Sequence, residues 1–268
     1  MPSVARPHVE IRDVVIGYAT GQNGTWLQAT APLRLDIDAG QCVTVVGPSG
    51  CGKTSLLNAI AGLVPAAQGE IRIHGVPVTG PGTDRAVVFQ DYALLPWRTV
   101  WDNVAFGLNL AVRRRTAGDV RQRVAAALEL VGLTEFARSY PFQLSGGMKQ
   151  RVGIARALVV EPEILLMDEP FAAVDAITRE AMQEELLRIL QARRMTVIFV
   201  THSIDEALML GDAIAVMSAR PGRIREVLRV PFERPRDPAT VRATNAYHEL
   251  REHIWQSLRD ERVGLKGP

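Results

Sequence analysis

The segment from Gly47 to Thr54 places three glycines, a lysine and a hydroxyl in the order G-x-x-x-x-G-K-[ST]. Glycines let a backbone curl so that its N–H groups face one point, and a following helix adds the positive end of its dipole. Lys53 and the Thr54 hydroxyl would then meet nucleotide phosphates and the Mg²⁺ that accompanies them. Cys51 fills a variable position, so we interpret its thiol as incidental. The predicted ATP-binding residues here are Gly47, Pro48, Ser49, Gly50, Cys51, Gly52, Lys53, Thr54 and Ser55.

Two carboxylates, Asp168 and Glu169, directly follow the apolar run 164–167. Such a run predicts a buried strand, and the acids would lie at its carboxyl end, where open α/β sheets bind ligands. Asp168 is placed to hold Mg²⁺, directly or through water, and Glu169 to polarise an attacking water. A helix cap or a surface pair is the alternative, and the phosphate loop upstream makes it the weaker one.

One histidine, His202, follows the next apolar run, 197–201. At a strand end beside bound nucleotide, its imidazole could hydrogen-bond the γ-phosphate. A lone histidine is as often structural, and its position alone leaves both interpretations open.

Strands and helices alternate along most of the chain, which predicts an open, mainly parallel sheet with helices on both faces. Buried strands are predicted near 43–46, 87–89, 164–167, 197–200 and 213–216, and helices at 54–63, at 119–131 and after 178 and 203. Alternating segments near 9–15, 33–37 and 70–73 predict an N-terminal antiparallel β layer. Residues of about 96–158 carry helical patterns and predict a helical lobe inserted in the core.

The composition of the chain argues against several classes of function. The chain has 268 residues, a net charge of +2 and two cysteines. The charge argues against a nucleic-acid partner, and two cysteines give neither a disulfide framework nor a metal cluster, which favours a reducing cytosol. The first ten residues lack the apolar core of a signal peptide, and no run reaches the ~20 apolar residues of a membrane span. We therefore expect any membrane role to require a partner.

A second potential anion site lies at Ser145-Gly146-Gly147, just before a predicted helix. A capping serine and two glycines at a helix start expose backbone N–H groups to an anion. One ATP does not need two such sites from one chain. The second makes sense if it closes on ATP held by another subunit.

The segment Leu144 to Arg151 closely resembles the signature of the ATP-binding-cassette (ABC) family, and the match extends with every motif in order to about residue 230. The resemblance implies that Tyr18 stacks on adenine, although a packing role at a strand end is the alternative. It implies a γ-phosphate contact for His202 and a metal and water contact for Gln90. It also implies that Asp175 is the D-loop aspartate and that the ATP of the partner chain is contacted in trans by Ser145, Gly146, Gly147 and Met148. The metal ligands that it implies are Thr54, Gln90 and Asp168. The catalytic residues that it implies are Glu169, His202 and Gln90.

The same resemblance implies a P-loop α/β ATPase in which two chains, identical or paired cassettes, sandwich two Mg-ATP molecules head to tail. Closing and reopening of this dimer, at the cytoplasmic face of the membrane, would drive the permease subunits. A periplasmic or lipid-anchored solute-binding protein would be an indirect partner. Met148 and Val174 depart from the usual Gln and Leu of the family motifs. Both keep size and apolarity or are common substitutions, so neither is interpreted as loss of activity. The presence of Glu169 argues against a non-hydrolysing member of the family.

A narrower resemblance, at 94–104, 171–179 and 221–223, is to importers of nitrate, taurine and alkanesulfonates. Trp97 and Trp101 would lie where the family docks its permease, although simple packing of the helical lobe is the alternative.

Other classes of function are a cassette ATPase acting on nucleic acid or ribosomes, and a small-molecule kinase. A cassette ATPase acting on nucleic acid or ribosomes usually has coiled coils or basic arms, which this sequence does not show. A small-molecule kinase would not need the signature motif at residues 144–151. Residues 1–235 are predicted as the ATPase domain and 236–268 as a C-terminal helical extension that packs rather than regulates.

Overall fold

The computed structural model describes residues 7–20, 25–110, 116–172, 174, 176–193 and 195–264. Its strands are β1 (Val9–Val15), β2 (Gly17–Thr20), β3 (Thr25–Gln28), β4 (Leu33–Ile37), β5 (Cys42–Val46), β6 (Gln68–Ile73), β7 (Val76–Pro77), β8 (Arg85–Val88), β9 (Ile164–Asp168), β10 (Thr196–Thr201), β11 (Ala213–Met217) and β12 (Ile224–Arg229). Its α-helices are α1 (Lys53–Ala61), α2 (Val100–Leu110), α3 (Ala117–Leu130), α4 (Gly146–Leu158), α5 (Ala176–Arg193), α6 (Ile204–Leu210), α7 (Pro238–Arg242) and α8 (Asn245–Gly264). Two compact units result, the first formed by 1–82 with 194–268 and the second by 83–193.

The N-terminal antiparallel layer of the first unit has the strand order β4-β1-β6-β7. Ile11 of β1 pairs with Leu35 of β4 on one side and with Ile71 of β6 on the other. These side chains are buried, which is what the period-two pattern requires when one face of a sheet meets a core. The predicted antiparallel layer is confirmed.

The central strand of the first unit is β5, which is parallel to both β10 and β11. All five of its residues are buried, as expected for a strand covered on both faces. The antiparallel strand β12 lies beyond β11 and alternates between half-buried and exposed positions. The apolar runs at 43–46, 197–200 and 213–216 predicted the parallel strands correctly, whereas β12 was not predicted.

Helix α1 ends two residues earlier than its apolar pattern suggested. Gly62 takes a left-handed conformation (φ 76°) and its N–H donates to the carbonyl of Ala59 at 3.0 Å. A Cβ at this position would lie 2.1 Å from the carbonyl oxygen of Gly80, so only glycine fits. Leu63, predicted on the apolar side, is 48% exposed beyond this turn.

The second unit contains the parallel pair β8–β9 and the helices α2 to α5. Its described residues between 96 and 158 hold no strand, as predicted for the helical lobe. Strand β8 starts at Arg85 rather than at the predicted Val87, and Phe89 lies outside it. The apolar pattern did not show this start, because Arg85 is a polar, half-buried residue whose guanidinium pairs with Asp84 at 2.8 Å.

The helix after His202 starts as predicted, with the Ser203 hydroxyl accepting from the N–H of Glu206 at 3.3 Å. The carboxylate of Glu206 accepts a hydrogen bond from the buried hydroxyl of Thr201. The Ser203 half of the predicted capping box is therefore confirmed, and the glutamate ties the helix to the end of β10.

The C-terminal helices α7 and α8 pack against other elements of the first unit. Val241 of α7 and Tyr247 and Ile254 of α8 join a buried cluster with residues of α6 and β11. The predicted packing role is confirmed, while a domain boundary at residue 235 stays a prediction. Among the described helices, none combines the length and apolarity needed to cross a membrane.

Candidate functional site

The phosphate loop connects β5 to α1 in the first unit, as predicted. Gly50 and Gly52 have φ values of 75° and 99°, in the region that favours glycine. A Cβ on Gly52 would also lie 2.7 Å from the Thr30 methyl group. The two glycines are thus required by conformation, and at Gly52 by space as well.

The side chain of Lys53 lies within this loop. Lys53 is 6% exposed, and its Nζ donates to the carbonyl oxygens of Gly47 at 2.9 Å and Pro48 at 3.1 Å. These bonds hold a positive charge against the loop backbone, where it can meet a phosphate oxygen. The next residue, Thr54, is exposed and offers its hydroxyl at the N-terminus of α1.

Gly222 supports the loop, a role that we did not predict from the sequence. A Cβ on Gly222 would lie 1.8 Å from the carbonyl oxygen of Cys51, so the two backbones are in close approach. Gly222 also donates to the Ala29 carbonyl at 3.0 Å and accepts from the Ala31 N–H at 2.9 Å. From the sequence, residues 221–223 contributed only to the resemblance to anion importers. The feature that could have indicated this role is a glycine flanked by proline and arginine. Cys51 itself is buried.

Tyr18 reaches the start of α1 from β2. Its hydroxyl donates to the Ser55 hydroxyl at 2.9 Å, and its ring is half-buried. Tyr18 therefore lies next to the residue that follows Thr54. This position is compatible with its predicted contact to adenine, which stays a prediction.

His202 and Gly47 leave the same edge of the sheet in the first unit. Thr201 pairs with Val46 in the parallel register of β10 and β5, so the next residue of each strand is His202 and Gly47. His202 is exposed at this edge. The carboxyl ends of parallel strands thus bring the histidine to the phosphate loop, as the sequence predicted.

Gln90 and Glu169 form an equivalent arrangement in the second unit. Val88 of β8 pairs with Met167 of β9, and Gln90 and Glu169 each lie two residues after their member of this pair. Asp168 ends β9 and is 6% exposed. Glu169 has a φ of 43°, a conformation that costs about 1–3 kcal/mol in a non-glycine residue and is enriched at functional sites.

The loop after Gln90 is held by Arg156 of α4. Tyr92 and Ala93 both have positive φ values, 59° and 46°. The Arg156 guanidinium donates to the carbonyl of Tyr92 at 2.8 Å and to that of Ala93 at 2.5 Å. Burial lowers the pKa of Arg156 below its ordinary value. This clamp was not predicted, because backbone acceptors leave no mark in a sequence.

The signature residues form the N-terminus of α4. Ser145 is exposed and caps the helix by accepting from the N–H of Met148 at 3.3 Å, while Gly146 and Gly147 open the first turn. Within the described part of the chain, the amide of the fully buried Gln150 has no hydrogen-bond partner. Asp175, the predicted D-loop residue, lies outside the described residues.

The oxygen donors at these positions fit Mg²⁺, which prefers hard oxygen ligands and keeps substrate phosphates in its shell. The hydroxyl of Thr54 is exposed in the first unit. The carboxylate of Asp168 and the amide of the exposed Gln90 belong to the second. All three are residues that the sequence assigned to the metal.

Comparison with known proteins agrees with these features. The family model described as "ABC transporter" matches residues 30–172. The taurine import ATP-binding protein TauB of Rhizobium johnstonii is 50% identical over 238 residues, covering 86% of this chain and 89% of that protein. The nitrate import ATP-binding protein NrtD of Synechococcus elongatus is 48% identical over 224 residues, covering 83% and 82%.

A solved ATP-binding cassette, described as dimeric in a post-hydrolysis state with ADP and Pi, superposes with a TM-score of 0.75 at 30% identity. The superposition covers 84% of this chain and 100% of that one. The chain belongs to the ABC transporter family, as an ATP-binding subunit with the P-loop α/β fold. It is an ATPase of the type that couples hydrolysis to transport.

Proposed function

We propose that this chain is the ATP-hydrolysing motor subunit of an importer for a small anion. The proposed substrate is either a sulfonate, such as taurine or an alkanesulfonate, or nitrate or a related small anion. The phosphate loop carries the proposal, because Lys53 is buried against the loop carbonyls and Thr54 is exposed at the start of the same helix. Relatives named for taurine and nitrate import support the substrate class.

Each residue has a distinct role in the proposed reaction. Lys53 and the loop N–H groups bind the phosphates, and Mg²⁺, held by Thr54, Asp168 and Gln90, would neutralise charge developing on them. Glu169 orients and polarises the attacking water. His202 hydrogen-bonds the γ-phosphate.

We further propose that ATP closes two copies of the chain head to tail, with Ser145, Gly146, Gly147 and Met148 contacting the ATP of the partner. The exposed N-terminus of α4 has the backbone donors that a γ-phosphate requires. The dimeric description of the solved cassette supports this model. Asp175 is assigned to the same interface by its motif.

The permease is the proposed membrane partner, and it would hold the chain at the cytoplasmic face. Large apolar side chains are exposed on the second unit at Trp97 (72%) and Phe142 (76%), and Tyr140 stacks on Phe142 with ring centroids 5.9 Å apart. Exposed aromatic residues are typical of protein contacts. A solute-binding protein would select the anion outside the membrane.

A pair of variants tests the motor. Glu169→Gln should retain ATP affinity, lose hydrolysis by more than about 100-fold and elute as an ATP-dependent dimer in size exclusion with light scattering. Adding Ser145→Arg to Glu169→Gln should abolish that dimer while leaving ATP affinity unchanged. An ATP-bound monomer for Glu169→Gln, or an unchanged dimer for the double variant, would rule out the sandwich.

The substrate class needs a separate experiment. The tagged chain is purified with its permease and reconstituted with the cognate solute-binding protein, and ATP-dependent uptake of taurine, alkanesulfonates, nitrate and bicarbonate is measured. Uptake of one of these anions supports the proposal. Stable copurification with nucleic acid or ribosomes, without a permease, would favour the alternative of a non-transport cassette ATPase.

A further inference from the structure

Helix α6 is the element that directly follows His202. It has seven residues, begins with the Ser203 cap and contacts β5 and β10 of the first unit. His202 lies one residue before the cap, so a shift of this short helix would displace His202. What holds α6 therefore determines where the histidine lies.

The N-terminal turn of α6 is held by α8. Asp205 accepts a hydrogen bond from the Tyr247 hydroxyl at 2.6 Å and from Nε of Arg251 at 2.9 Å. Tyr247 is 3% exposed, and burial, together with its bond to Asp205, raises its pKa to about 12. The phenol thus stays a donor to Asp205 throughout the physiological pH range.

The C-terminal turn of α6 is held by two arginines of the segment that precedes α7. The guanidinium of Arg236 donates to the carbonyls of Met209 and Gly211, both at 2.8 Å. Arg234 donates to the Leu210 carbonyl at 2.5 Å. Cations that bind the free carbonyls at a helix C-terminus oppose the negative end of its dipole.

Arg236 is a buried cation, with 8% of the residue exposed. Asp212, whose carboxylate is 3.7 Å from Arg236, also accepts from Arg234 at 2.8 Å and from the N–H of Cys42 at the start of β5. Burial lowers the pKa of Arg236 to about 10. A buried cation with this many partners ties the end of α6 to the strand that leads into the phosphate loop.

Apolar contacts complete the attachment between α6 and the C-terminal segment, defined here as residues 234–264. Ile204, Ala207 and Leu208 of α6 share one buried cluster with Val241, Tyr247 and Ile254 of this segment. Both ends and one face of α6 are therefore held by the same part of the chain.

We propose that the C-terminal segment positions His202 for ATP hydrolysis by holding α6 at both ends, with Tyr247 and Arg236 as positioning residues. The inference rests on the proposed contact between His202 and the γ-phosphate. It gives the C-terminal segment, residues 234–264, a role in turnover, beyond the packing expected of the C-terminal helix from the sequence.

Tyr247→Phe tests this role because it removes the bond to Asp205 and keeps the packed ring. We expect kcat of the purified chain to fall about two- to tenfold, the effect of losing about one hydrogen bond, with KM for ATP unchanged. His253→Gln is the matched control. It replaces the imidazole that contacts Glu226 of β12 at 2.8 Å without touching α6, and kcat should not change.

The side chain of His202 gives a second readout. With five histidines in the sequence, ¹³C-labelled histidine gives a spectrum simple enough to assign through single His variants. Tyr247→Phe should move the His202 resonance with Mg-ATP bound in a Glu169→Gln background, and His253→Gln should not. The proposal is overturned by an unchanged kcat, by an unmoved His202 resonance, or by an equal loss of kcat in His253→Gln.

The wild-type chain and His202→Ala separate this inference from the proposed function. If His202→Ala turns over normally, the role of His202 is wrong and the inference falls with it. If His202→Ala is impaired while Tyr247→Phe is normal, the proposed function stands and only the positioning role fails.

Discussion

The guanidinium of Arg156 donates to the carbonyl oxygen of Tyr92 at 2.8 Å, which links the helix of the signature residues to the loop that follows Gln90. Tyr92 and its neighbour Ala93 both have left-handed backbones, and a strained pair of this kind persists only where other contacts hold it. Within the second unit, Arg156 supplies two such contacts from α4. The conformation of the Gln90 loop therefore depends on a residue 66 positions later in the chain.

Arg156→Lys should lower kcat for ATP about tenfold, because an ammonium cannot reach both carbonyls with the geometry of a guanidinium. Steady-state hydrolysis and the melting temperature check this. Arg123→Lys is the control, since Arg123 makes ion pairs with Asp119 and Glu161 elsewhere in the second unit. Equal kcat values for the two variants would contradict the predicted role of the clamp.

Lys53→Ala should weaken ATP binding about 10- to 100-fold, the effect of losing a charge-assisted contact to phosphate. Titration with a fluorescent ATP analogue measures the affinity. Arg223→Ala, near the loop but outside the motif, is the comparison and should bind normally. Unchanged affinity and turnover in Lys53→Ala would remove the phosphate-loop assignment.

Tyr18→Ala should weaken ATP binding by about 1–3 kcal/mol if the ring stacks on adenine, a range known for bases on aromatic side chains. Tyr18→Phe separates stacking from the hydrogen bond to Ser55, because it removes only the hydroxyl. We expect nearly normal affinity for Tyr18→Phe, by isothermal titration. Equal losses in both variants would show that the hydroxyl, rather than the ring, matters.

Cys42 should resist alkylation in the folded chain. Burial raises the pKa of its thiol from 9.0 to about 12. A higher thiol pKa means less thiolate, so at pH 8 the reactive fraction falls about a thousandfold and recovers only as the pH approaches 12. Mass spectrometry after iodoacetamide treatment of a Cys51→Ser variant measures the rate for Cys42 alone. Rapid labelling without denaturant, at the rate seen in guanidinium chloride, would contradict this.

The sequence predicted the elements whose cause is local or periodic. The apolar runs that became β5, β10 and β11 are buried strands, and the serine before α6 caps that helix. The phosphate loop was predictable because its chemistry requires particular residue types at fixed spacing. Asp168 and Glu169 were predictable for a similar reason, because two carboxylates directly follow an apolar run that predicts a buried strand.

Contacts between distant parts of the chain were not predictable. Gly222 against Cys51 and Arg236 at the end of α6 depend on tertiary approach, and each uses backbone atoms that every residue carries. The end of α1 was missed for a related reason, since Leu63 fits the helical pattern but Gly62 turns the chain away. Periodicity describes which face a residue could occupy, and close packing decides whether the helix extends that far.

The close approach of Gly222 to Cys51 has a consequence for the rate of nucleotide capture. Because neighbouring backbone segments hold the phosphate loop in shape, little conformational entropy should be lost when ATP arrives. Association should therefore be limited by diffusion and orientation rather than by a preceding rearrangement, with an observed rate that rises linearly with ATP concentration. A side chain at position 222 would displace the loop and introduce the slow ordering step that the native chain lacks.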